Sequence, residues 1–97
     1  MKSIDPDILV LQALADPTRL SIVRQMGAEP DAVCACDFIE CCDVSQPTIS
    51  HHLRVLRDAG VVVTRREGTN IYYSLAPGFA ERWRGIGASL SGLIQLA

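Results

Sequence analysis

The 97-residue sequence lacks an apolar run long enough to cross a bilayer, and its opening residues, MKSIDPDILV, lack the apolar core and small-residue cleavage site of an export signal. A soluble, cytoplasmic chain that makes no use of a membrane is expected. The absence of an internal repeat or low-complexity linker leaves one domain, residues 1–97. Also missing are a Cys-x-x-Cys pair, a phosphate-cradling glycine loop and a convincing pairing of base and nucleophile. A thiol-dependent enzyme is therefore the weakest reading, and the expectation is no enzyme. The low hydrophobicity of disordered chains is absent too, since 48% of residues are apolar and 21% charged. A core of this size is marginal alone, so association with a second copy would add stability.

What the chain does have is sulfur in one place. Cys34, Cys36, Cys41 and Cys42 fall within nine residues, in VCACDFIECCDV (33–44). A reducing cytoplasm argues against permanent disulfides, and neighbouring pairs would close loops too small to constrain the unfolded chain. The thiols are candidate ligands for a soft or borderline metal or metalloid, with Cys34 and Cys36 ranked before Cys42 and Cys41. One of the latter two also suits a small buried apolar position ahead of the following helix. In an ideal helix Cys34 and Cys36 would lie about 200° apart, so joint capture of one ion requires a turn that is distorted or not helical.

Charge is segregated. The net charge is −2, yet residues 45–73 hold four Arg against Asp58 and Glu67, together with both His. Before this stretch, Ile4, Ile8, Leu11, and Leu14 or Ala15 recur at helical spacing, and Asp16-Pro17 supplies a cap followed by a proline suited to a first helical turn. A second helix carries Leu20, Val23 and Met26 to Gly27, where GAEPD reads as a loop. Ser45 caps the next helix, Val44 and Ile49 occupy staple positions, and Gly60 ends it. At about 100° per residue, Ile49, Leu53 and Leu56 share one side, opposite Pro47, Ser50, His51, Arg54 and Asp58, with Gln46, Thr48 and Arg57 flanking.

VVVTRREGTNIYYSL (61–75) then changes to strand periodicity around a Gly-Thr-Asn turn and reads as a hairpin with two Arg at its tip. Phe79, Trp83, Ile86, Leu90, Leu93 and Ala97 form the seam of a last helix, which packs on its own domain, on a second copy, or on both. Helix pair, polar outer face and hairpin together describe a mainly α, winged helix-turn-helix fold. A polar face on a single helix is usually just solvated, but the combination favours double-stranded DNA. Gln46, Thr48, Ser50, His51 and Arg54 would face the major groove, and Arg65, Arg66 and Thr69 would meet the backbone. His52, at the edge of the apolar side, reads as a packed, hydrogen-bonded residue.

ALADPTRLSIV (13–23), SQPTISHHLRVLRDAGVV (45–62) and RREGTNIYYSL (65–75) resemble the ArsR/SmtB family of dimeric bacterial winged-helix repressors. VCACDF (33–38) is similar to the Cys-x-Cys-Asp-hydrophobic element of the family's arsenic-responsive branch. The resemblance implies a homodimer built from the first and last helices, bound to a palindromic operator upstream of resistance genes. It also implies release when arsenite or antimonite binds the thiolates, with no constitutive cofactor. The branch usually continues Cys-x-Cys-x-x-Cys, and Ile39 stands at the third position here. A third sulfur would come from Cys41 or Cys42, from another protomer, or not at all. Cadmium or lead at the thiols, and thiol oxidation in a redox sensor, are the alternatives on the same fold. Zinc at a last-helix site is disfavoured, because only one acid, Glu81, and no His or Cys follow Tyr73.

Overall fold

The computed structural model describes residues 5–29, 31–34, 37–38 and 45–96, with side chains only as far as residue 91 in the last helix. Helix α1 (Pro6–Leu14) starts where the Asp5 carboxylate accepts the Asp7 amide at 2.9 Å and Pro6 fills the first helical position. Ile4, read as part of this helix, lies outside the described residues. Helix α2 (Pro17–Ala28) starts in the same way. The Asp16 carboxylate accepts the Arg19 amide at 3.0 Å, and Pro17 needs no partner for the N–H it lacks. Its end falls at Ala28, one residue past the expected Gly27.

Helix α3 (Gln46–Asp58) is capped by Ser45, whose hydroxyl accepts the Thr48 amide at 3.4 Å. It stops in a Schellman motif: the Gly60 amide donates to Arg57 and the Val61 amide to Leu56, each at 3.0 Å. Gly60 adopts φ +80°, the left-handed conformation that favours a residue without Cβ. Val61 and Leu56, both fully buried, supply the apolar contact that accompanies such a stop. The staple residue Val44 lies outside the described residues.

Strand β1 (Val33–Cys34) was not foreseen. It pairs antiparallel with β3 (Asn70–Leu75), which pairs antiparallel with β2 (Val62–Glu67), giving a three-stranded sheet in the order β1-β3-β2. The hairpin turn is Gly68-Thr69, with Gly68 at φ +61° and Asn70 already in β3. Arg65 and Arg66 stand opposite Tyr72 and Ile71, inside the ladder rather than in the turn. Helix α4 (Phe79–Leu96) closes the chain.

The core is where the apolar stripes of α1, α2 and α3 meet the base of the sheet: Val10, Ile22, Ile49, Leu53, Leu56 and Phe38 are fully buried. Each such side chain contributes about 1.5–3 kcal/mol relative to exposure. Helix α4 adds Ile86, while Trp83 and Leu90, from the same expected seam, are exposed. Leu93 and Ala97 have no described side chains. A 3.2 Å ion pair between Arg82 and Asp7 ties α4 to α1.

Candidate nucleic-acid interface and thiol segment

On α3 the helical period separates two functions. Ile49, Leu53 and Leu56 anchor the helix, leaving Ser50, His51 and Arg54 exposed away from the core and Gln46 exposed on the flank beside them. Thr48 lies on the inner flank, half-buried, with its hydroxyl 2.9 Å from that of Ser45. No acid occupies the first turn of α3, so no carboxylate of that turn offsets the positive end of its dipole. Among the described residues Arg54 and Arg66 have no carboxylate partner, whereas Arg57 pairs with Asp58 at 3.8 Å and Arg65 with Glu67 at 3.5 Å. Four of the five candidate groove-facing residues, Gln46, Ser50, His51 and Arg54, thus share one solvent-facing surface from which Thr48 is set back, and the candidate backbone contacts Arg65, Arg66 and Thr69 lie exposed on the hairpin.

His52 turns inward. An Arg19 guanidinium nitrogen donates to its Nδ1 at 3.2 Å, while the same guanidinium donates to the Ala13 carbonyl at 2.6 Å and reaches the Gln12 carbonyl at 3.5 Å. Arg19 therefore bolts α3 to the end of α1. Burial depresses the His52 pKa below 6.5, opposed by the negative charge of Asp16 and reinforced by Arg19. Asp16, 4.0 Å away, is itself held below 3.8, chiefly by the Arg19 amide that it accepts. This strut was invisible in the sequence, since nothing local ties an Arg to a His 33 positions on. The one available hint was the inward flank of His52.

Of the four candidate thiols, Cys34 lies among the described residues, half-buried on β1; Cys36, Cys41 and Cys42 lie outside them. Helical angles therefore do not govern Cys34, whose backbone is extended. Val33 pairs with Tyr73 and Cys34 with Tyr72, and across β3 these continue to Thr64 and Arg65. Directly opposed residues share a face of a sheet. Val33 and Tyr73 pack toward the core, so Cys34, Tyr72 and Arg65 form a row on the other face. The Arg65 guanidinium stacks 5.6 Å from the Tyr72 ring centroid. Just beyond the Cys34 strand, Phe38 is fully buried and sets its ring edge against Tyr73, centroids 6.4 Å apart.

Geometry of this kind defines a class: winged helix-turn-helix proteins with an anchored helix offering a polar face and a basic hairpin beside it. A family model described as a helix-turn-helix domain matches residues 14–65. An arsenic resistance transcriptional regulator of Pseudomonas putida is 35% identical over 95 residues, covering 98% of this chain and 71% of that protein. An uncharacterised helix-turn-helix transcriptional regulator of Methanocaldococcus jannaschii is 48% identical over 65 residues, covering 66% of this chain and 72% of that one. A homologue of a cadmium resistance regulatory protein from Staphylococcus aureus is 41% identical over 66 residues, covering 68% of this chain and 54% of its own length.

Solved structures agree. A possible transcriptional regulator for arsenical resistance superposes with TM-score 0.75 at 28% identity, covering 98% of both chains. The homodimeric winged helix-turn-helix domain of a possible ArsR-family regulator from Mycobacterium bovis superposes with TM-score 0.69 at 27% identity, covering 91% of this chain and 84% of that one. The chain belongs to the ArsR/SmtB family of helix-turn-helix transcriptional regulators.

Proposed function

We propose that this chain is a homodimeric repressor that holds a palindromic operator and leaves it when trivalent arsenic or antimony binds its cysteine thiolates. The observation that carries the DNA half is the exposed face of α3, where Gln46, Ser50, His51 and Arg54 stand together over a fully buried apolar side. Side chains of these types hydrogen-bond to base edges, and Arg66, without a carboxylate partner among the described residues, suits a phosphate. The dimer is supported by exposed Ile8 and Leu11 on α1 and Trp83 and Leu90 on α4, and by an apolar groove of about 470 Å³ whose lining includes Leu11, Leu20, Val23, Phe79 and Trp83. The homodimeric neighbour gives the same reading.

The inducer half rests on sulfur chemistry and on the Pseudomonas putida relative. Each thiol that replaces a hydroxyl of arsenous acid passes its proton to the departing hydroxyl, which leaves as water. No oxidant or reductant is consumed. Cadmium is the competing inducer, because thiolates bind it as well and the Staphylococcus aureus relative is named for cadmium resistance. The test starts from DNA sites selected in vitro by the reduced protein. Fluorescence anisotropy of the complex is followed as arsenite, cadmium or peroxide is added. Release by arsenite at lower concentration than by cadmium, and abolished in Cys34→Ser, is the expected result. Release by peroxide alone, or by cadmium alone, overturns the assignment.

A further inference from the structure

We propose that Tyr72 is the positioning residue through which the thiol segment acts on the DNA-binding wing. The inference rests on the reading of Cys34 as part of the inducer site and adds a route by which that site reaches DNA. The segment from Val33 to Phe38 is docked on β3 at both of its described ends. At one end the β1 ladder sets Val33 against Tyr73 and Cys34 against Tyr72. At the other, the buried Phe38 ring meets the ring of Tyr73 edge-on. Tyr72 in turn faces Arg65 across the next pair of strands and carries its guanidinium over the ring face.

The row Cys34, Tyr72, Arg65 is thus a lateral connection of three residues on three neighbouring strands. Adjacent strands lie about 4.8 Å apart, so a displacement of the Cys34 strand meets Tyr72 directly. That strand is two residues long, and an edge held by so few rungs is the weakest part of the sheet. Thiolates converging on one metalloid centre would set the position of the Cys34 backbone by bond lengths to sulfur rather than by the ladder. Tyr72 would then shift its ring, and Arg65 would lose the surface that aims it at the DNA backbone. A ligand acts on an equilibrium only through such differential contacts in two states. Helix α3 need not be the sole target.

The measured quantity is the coupling ratio, operator Kd with saturating arsenite divided by Kd without it, in the wild type, Tyr72→Phe and Tyr72→Leu. Arsenite uptake is followed separately by the ultraviolet absorbance of sulfur-to-arsenic charge transfer. Tyr72→Phe, which keeps the ring face, should retain the wild-type ratio. Tyr72→Leu should lower it about fivefold or more while taking up the same amount of arsenite. An unchanged ratio in Tyr72→Leu with normal uptake overturns the relay and leaves the thiol site standing. No uptake by the wild type removes the thiol site and the relay together. Amide hydrogen exchange on the wild-type chain gives a second reading independent of variant folding. Arsenite should alter protection at residues 70–75, and a response confined to residues before 60 overturns the proposal.

Discussion

The guanidinium of Arg19 can only donate, so its 3.2 Å contact with Nδ1 makes that nitrogen the acceptor and His52 a neutral imidazole carrying its proton on Nε2. Protonation would set a cation against Arg19, and only then would Asp16, at 4.0 Å, become a true ionic partner. The stability owed to neutral His52 is fully present above 6.5 and declines as pH falls below that toward the depressed folded value. Denaturation midpoints should fall between pH 7 and 5.5, and His52→Gln, which keeps an acceptor and cannot titrate, should flatten that limb. Asp16 acts in a separate window, its contribution being present above 3.8 and lost in stronger acid. Arg19→Met should cost roughly 1–3 kcal/mol by urea titration and weaken operator binding, since α3 loses its tie to α1. The two wing arginines differ as well. Glu67 already neutralises part of Arg65, so Arg66→Ala should produce the larger affinity loss, indifferent to DNA sequence, with a salt slope shallower by about 1. His51→Ala should instead change base preference, measured as affinity for a panel of single-base operator variants.

Local chemistry explains which elements announced themselves. Helix α3 was legible down to its cap and its terminating glycine because Ser45, Pro47 and Gly60 each do something only a helix end requires. The hairpin was legible through its β-branched run and Gly68, although its arginines proved to lie in the ladder rather than in the turn. Strand β1 left no trace, since two residues make no period and Val33-Cys34 becomes a strand only because β3 is there to receive it. The same logic sets two glycine substitutions in opposition. Gly60→Ala forces a side chain into φ +80° and should destabilise by about 1 kcal/mol. Gly85 sits within α4, on the side away from Trp83 and Leu90, with nothing within 4 Å of an added Cβ, so Gly85→Ala should stabilise by roughly 0.5–1 kcal/mol. Thermal melts of the two variants should move in opposite directions, by about 4–8 °C per kcal/mol for a domain of this size.

The molecule measures 50 × 35 × 24 Å, and its radius of gyration of 14.7 Å exceeds the ~13 Å of a compact domain of 100 residues. Part of the excess is α4, which gives Ile86 to the core and leaves Trp83, across a groove from Leu11, and Leu90 in solvent. The 3.5-residue seam told that this helix packs on something; it could not apportion the seam between its own domain and a second copy, because both use the same spacing. A charge separates the two. At a site 68% exposed in the single chain, Leu90→Glu should leave the fold of one protomer nearly unchanged. Against a partner's apolar face the same carboxylate would be buried without a counter-ion. Sedimentation velocity should therefore show wild-type dimer and Leu90→Glu monomer, with matching far-ultraviolet circular dichroism. Operator binding by the variant should weaken about 10²-fold or more, because two half-sites are then no longer engaged by one linked molecule. If Leu90→Glu sediments as a dimer and binds the operator as the wild type does, the α1 and α4 face is not what joins the two copies.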